Sequence, residues 1–122
     1  LDRSLVHYEE LFKRKPNPLI AYELADIKIQ LDDLMGATKN ITFGIANSNS
    51  DIMRTYYESQ GQYNVPMKAA FTYLKGLVKF KENKEENIDA AIAIMDEALL
   101  IAPNFNLAKI SKDALNAQKK TD

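Results

Sequence analysis

Apolar residues recur in this chain at three- and four-residue steps between short stops built from proline, asparagine and aspartate, and that rhythm excludes most sheet folds. Ile20, Leu24, Ile27 and Leu31 form one such stripe, and Tyr22, Ala25 and Ile29 widen it until the helix must be covered on two sides. Asn17 before Pro18 reads as an N-cap followed by proline at the first helical position, where the missing N–H costs nothing. Asp32-Asp33 interrupts the stripe with carboxylates suited to capping, and Leu34, Ala37, Ile41 and Ile45 open a second stripe. A pair of helices joined by a tight turn follows.

The plan returns downstream. Val65-Pro66 precedes a helix bearing Ala70, Tyr73, Leu74, Leu77 and Val78, and Asn83-Lys84-Glu85-Glu86 resembles a capping box for the next helix. That next helix places Ile88, Ala91, Ile92, Met95 and Leu99 on one face and ends before Pro103. Leu5, Tyr8, Leu11 and Phe12 form a helix stopping near Pro16, and Leu107, Ile110, Ala114 and Leu115 form the last one. Only four glycines and four prolines interrupt the chain, so the reading is all-α. The helical period fails between Asn47 and Asn64. There Met53, Thr55 and Tyr57 alternate with Arg54 and Tyr56, Ser59-Gln60-Gly61 can turn, and Tyr63 with Val65 can return, as in a short β-hairpin over about 53–65. The competing reading is one more helix, capped by Ser50 and ended by Gly61.

Composition narrows function mainly by exclusion. The 122 residues suit one domain, and 46% apolar content can fill its core. Sixteen basic against seventeen acidic residues give no overall field for nucleic acid. The absence of cysteine removes disulfides, zinc–thiolate sites and thiol nucleophiles. The most apolar run, Ala98 to Ala102, is far shorter than the roughly 20 residues of a membrane-spanning helix. The chain opens at Leu1 without an initiator methionine or an apolar leader, so an upstream signal or domain is expected to have been removed.

Small residues fall where neighbouring helices must touch. Leu24-Ala25 and Lys75-Gly76 occupy corresponding places in the two first helices; Ala37, Ile41 and Gly44 match Ala91, Met95 and Ala98 in the second helices, with Ser4, Tyr8 and Leu11 ahead of Pro16 in the same pattern. This arrangement resembles the tetratricopeptide repeat, a helix pair of about 34 residues with a proline after its second helix. The resemblance covers the whole chain, which would begin with the second helix of a repeat. From Ser4 to Ala37 is 33 residues, whereas from Ala37 to Ala91 is 54, so about 20 are inserted. Ile41 and Met95 replace the family's usual aromatic, and no proline follows Gly44. The resemblance implies a single α-α superhelical domain with segments 1–16, 17–47, an insertion 48–65, 66–103 and a capping helix 104–120. With the stretch Ala98 to Ala108 it is closest in type to exported bacterial members, which implies a periplasmic or surface setting.

By the same resemblance, the first helices line a concave peptide-binding groove through Tyr22, Glu23, Asp26, Ile29, Gln30, Ala70, Tyr73, Leu74, Leu77 and Lys81. The implied function is a non-catalytic scaffold for a protein or peptide, with no cofactor and no metal. The alternative is a structural segment of a longer array, self-associating through its terminal helices. The subtype that clamps carboxylate tails is not expected, because Glu23, Asp26, Leu74 and Leu77 stand where it needs basic and amide groups.

Other residues read as structural. His7 is the only histidine and has no nearby regularly spaced carboxylates to complete a metal site. Neighbouring carboxylates such as Glu9-Glu10 diverge on a helix, and Asp32-Asp33 sits where a cap belongs. Ser4, Ser48 and Ser111 lack a nucleophile elbow. Lys79, Lys81 and Lys84 alternate with Glu82, Glu85 and Glu86 as on a solvated face. Tyr56, Tyr57 and Tyr63 form either a ligand platform or a cover for the edge of the stack.

Overall fold

Asn17 and Asp33 start their helices as their side chains allow. The Asn17 carboxamide oxygen accepts from the Ile20 N–H at 3.0 Å, and the Asp33 carboxylate accepts from Gly36 N–H at 3.0 Å. In this computed structural model, which describes residues 2–49 and 51–121, the order is α1 (Asp2–Arg14), α2 (Pro18–Gln30), α3 (Leu34–Asn47), β1 (Met53–Glu58), β2 (Gly61–Pro66), α4 (Met67–Glu82), α5 (Ile88–Ile101) and α6 (Asn106–Thr121). The chain is therefore mostly helical, with one antiparallel two-stranded sheet. Helices adjacent in sequence pack on one another, and α2 also meets α4 directly.

The α2–α3 turn closes by backbone bonds. Asp33 N–H reaches the Lys28 carbonyl at 2.8 Å and Asp32 N–H the Ile29 carbonyl at 3.1 Å, with Asp32 left-handed at φ 61°. This is a helix stop that glycine usually occupies, made here by a short acidic residue that tolerates the conformation. Asn83 behaves differently from the capping box expected of it. Its side chain accepts from Glu85 and Glu86 N–H inside a turn, and α5 begins only at Ile88. Asn87 instead ties this turn back to α4 by donating to the Lys79 carbonyl at 3.0 Å.

The core runs along the whole stack. Ala25, Ala37, Gly76 and Ala91 are all buried, as the close approach of neighbouring helices requires. Gly44 is tighter still, since a Cβ there would lie inside the Phe71 ring. Phe71, Phe105, Leu24, Met67, Leu74, Met95 and Val65 are the largest fully buried side chains, and truncating either phenylalanine to alanine is worth about 3–5 kcal/mol. Among buried polar groups, Asn40 accepts from Lys28 at 2.8 Å, and Lys28 also pairs with Glu9 at 2.9 Å, linking α1, α2 and α3. On α6 the inward face is Ala108 and Leu115, while Ile110, grouped with the apolar stripe in the sequence, is 54% exposed.

Residues 53–66 form the hairpin rather than another helix. Its register pairs Arg54 with Val65 and Tyr56 with Tyr63 around the link Ser59-Gln60. Gly61 adopts φ 131°, a conformation closed to most side chains. Ser50, the cap of the alternative helix, lies outside the described residues. The two-residue period separates the faces: Tyr56, Tyr63 and Val65 pack inward, and Tyr57 stands in solvent at 79% exposure. Tyr56 and Tyr63 stack at 5.6 Å and both lean on Phe105, at 5.1 and 6.5 Å between ring centres. These two tyrosines are a cover for the helix stack, and Tyr57 is not.

Candidate functional site: the face shared by α2, α4 and α6

The hairpin closes one end of the face on which α2 and α4 meet. Arg54 reaches from β1 to Glu23 on α2 at 2.6 Å, and its guanidinium carbon lies 3.9 Å above the Tyr22 ring. The Tyr22 and Tyr56 hydroxyls meet at 2.9 Å. At the opposite flank the Tyr63 hydroxyl accepts from Leu107 N–H at 3.0 Å, and Asn106 donates to Glu58 at 2.9 Å, so the hairpin bridges α2 and the start of α6.

Burial governs the titration of this cluster. It pushes the Tyr22 phenol up to about 12 and Tyr56 well above the usual tyrosine range. Burial works against the Arg54 charge, but the Glu23 hydrogen bond and Tyr22 outweigh it and hold its pKa above the ordinary value. Asp26, one turn beyond Tyr22, is raised because burial disfavours its charge more than the Gln30 hydrogen bond favours it. The one arginine here is committed to Glu23, and Asp26 has no ion pair among the described residues.

Further along, Tyr73 packs its ring 5.5 Å from Phe105 and hydrogen-bonds Ser111 of α6; burial raises its pKa and that bond lowers it. Ser111 also lines a cleft of about 200 Å³ with Leu77, Phe80, Met95, Ala114 and Leu115. Tyr73 and Leu77 are one turn apart on α4, so the polar strip of Asp26, Tyr73 and Ser111 runs into an apolar recess.

The ten residues expected in the groove divide three ways. Ala70, Tyr73, Leu74, Ile29 and Tyr22 are buried, and their surface is spent on packing, with the Tyr22 hydroxyl turned to the hairpin and that of Tyr73 to Ser111. Glu23 and Lys81 are committed, Glu23 to Arg54 and Lys81 to the Ile29 carbonyl at 3.1 Å and Asp32 at 3.3 Å. Asp26, Gln30 and Leu77 remain, on the same side of α2 and α4. Arg54, Ser111, Phe80 and Leu115 were not foreseen as site residues. Arg54 stands in a stretch of two-residue period that gives no hint of its partner, and the place of Ser111 depends on how α6 crosses α4.

A larger recess, about 500 Å³, is lined by α3 and α4 with Ile94 of α5, and takes in Ile41, Ile45 and Val78 together with Lys75 and Lys79. Its polar groups are at the rim, whereas on the α2–α4–α6 face half-buried Asp26 and Ser111 lie along one strip with buried Tyr73. Among the described residues no group of three or more metal-ligating side chains occurs, and no helix is long and apolar enough to cross a membrane. His7 is exposed and touches the Tyr8 ring edge-on. No protein family, curated protein or solved structure matches this chain.

Proposed function

We propose that this chain is a tetratricopeptide-like helical stack and a non-catalytic module that binds a protein or peptide along the α2–α4–α6 face. The observation that carries the reading is the continuity of that face: Asp26 without an ion-pair partner, then Tyr73 with Ser111, then the cleft of Leu77, Phe80, Met95 and Leu115. A half-buried carboxylate costs stability and an open apolar cleft leaves its surface in water, so a partner that inserts apolar side chains and offers a donor to Asp26 relieves both. The hairpin forms the end wall, which sets where a bound segment must stop.

Panning a displayed random-peptide library against the immobilised chain tests this. Enriched peptides lose binding to Leu77→Arg and to Asp26→Lys and keep it for Lys75→Glu on the opposite side. Enrichment of nothing, or of peptides indifferent to both groove substitutions, sinks the reading.

A second reading, a structural segment of a longer array, is favoured by Val6 and Ile110, exposed at 63% and 54% on the two terminal helices. Self-association abolished by Val6→Lys or Ile110→Lys, in a chain whose groove binds no peptide, selects it.

A further inference from the structure

We propose that a second copy of this chain pairs with the free edge of β1, antiparallel about Thr55, to give a four-stranded sheet. The two edges of the hairpin are not equivalent. Met67 N–H donates to the Ile52 carbonyl at 2.8 Å at the open end of the ladder. In an antiparallel pair alternate residues turn both backbone groups toward the neighbour and the others turn them away. That parity directs the N–H and C=O groups of Met53, Thr55 and Tyr57 outward on β1, and those of Gln62 and Asn64 outward on β2. The β2 edge is covered, since the Asn104 side chain donates to the Asn64 carbonyl at 2.9 Å. Among the described residues no hydrogen bond reaches the outward groups of β1.

Edge strands usually carry a guard in the form of proline, lysine, a bulge or an inward charge. β1 has no proline or lysine, and its register is continuous. Its two inward charges are both satisfied: Arg54 is neutralised by Glu23 at 2.6 Å and stacked on Tyr22, and Glu58 accepts from the Tyr63 hydroxyl and the Asn106 side chain. The edge is therefore open to an extended strand.

Backbone groups accept any such strand, and the side chains in register choose among them. With Thr55 opposite Thr55 of the second copy, Met53 faces Tyr57 of the second copy, and the two-fold axis repeats the pair. Met53 and Tyr57 are the two apolar side chains that the hairpin exposes, at 43% and 79%. Each covers the other, a thioether against an aromatic ring, while Thr55 meets its own kind across the strand, a favourable pair. The contact is isologous and uses up the open edge, and Asn104 blocks the outer ones, so assembly stops at two copies.

Sedimentation velocity of the whole chain over a dilution series tests the proposal, together with Thr55→Pro and Tyr57→Lys. Proline at 55 removes an N–H that the hairpin does not use, but also the Thr55 hydroxyl that donates to the Asn64 side chain at 2.6 Å, so some loss of midpoint is expected there; Tyr57 is exposed, so Tyr57→Lys should keep the circular dichroism and unfolding midpoint of the monomer. The expected result is a wild-type dimer, loss of the dimer in both variants, and Thr55 and Tyr57 amides that exchange slowly only at dimeric concentrations. A wild-type chain that stays monomeric throughout overturns the proposal. So does a dimer that survives both substitutions, or one lost instead on Val6→Lys or Ile110→Lys.

Discussion

The Tyr22 hydroxyl on α2 and the Tyr56 hydroxyl on β1 lie 2.9 Å apart beneath the Arg54 guanidinium, and this contact pins the hairpin to α2. Tyr22 is buried and Tyr56 half-buried, so each hydroxyl partners the other where water reaches little.

Removing one of the two hydroxyls should cost more than removing both. Tyr22→Phe or Tyr56→Phe alone leaves a buried hydroxyl unpaired and should lower stability by about 1–2 kcal/mol, whereas the double variant should recover part of that loss. Urea denaturation of the four proteins in a double-mutant cycle measures the coupling. Additive losses would mean that the hydroxyls do not pair.

Alkali should loosen the fold through the same residues. A tyrosine whose folded pKa exceeds its unfolded value binds its proton more tightly when folded, so its contribution is complete below the unfolded pKa and is lost as pH rises through the folded one. Tyr22 is raised to about 12 and Tyr56, Tyr63 and Tyr73 are raised as well, so the urea midpoint should fall from about pH 10 upward. The slope should be shallower in Tyr22→Phe, which no longer titrates there.

Two glycines that both lie at helix contacts should respond differently to alanine. At Gly76 the new Cβ meets the Met95 methyl at 2.8 Å, a flexible end that can swing aside, while at Gly44 it meets the fully buried Phe71 ring. Helix propensity favours alanine by about 1 kcal/mol at either site. Overpacking costs about 1–3 kcal/mol where nothing yields. Gly44→Ala should therefore destabilise and Gly76→Ala should be near neutral, as thermal unfolding will show. The reverse order would place the tight crossing elsewhere.

Asp26 should cost the free protein stability. Burial raises its pKa, so the folded state favours the neutral acid, and its contribution is full at low pH and lost as pH rises through the folded value. Asp26→Asn should then raise the urea midpoint at neutral pH and change it little in acid. The same substitution should weaken groove peptides, the trade expected where a charge is kept for binding rather than folding. A neutral-pH midpoint that falls would show that the carboxylate holds the fold together.

Helix positions and most stops were legible because the forces that set them are local. Asn17 and Asp33 cap within their own turn, and Ala25, Ala37, Gly76 and Ala91 fall on helical faces that periodicity alone predicts to be buried. Asn83 was misread because a carboxamide that accepts two N–H groups can serve a cap or a turn, and only the path of the chain to Ile88 tells them apart. Five of the expected groove residues are buried because a helix face that looks outward at one turn looks into a neighbour at the next.

The sequence by itself determined six helices, their order and the small residues that let them close, since cap chemistry and a three-to-four-residue period act over one or two turns. The two-residue period offered a hairpin at 53–65 beside a helix, and the structure takes the hairpin; tertiary structure alone decided that Phe105 receives the rings of Tyr56, Tyr63 and Tyr73, that Arg54 chooses Glu23, and that Asp26 has no ion-pair partner among the described residues. The contacts of Phe105 and of Arg54, like those of Tyr22 with Tyr56 and of the hairpin with α6, join residues some 30 to 50 positions apart. Which side chains meet over such a distance is settled by how the rods pack and by what burial then forbids, not by any pattern along the chain.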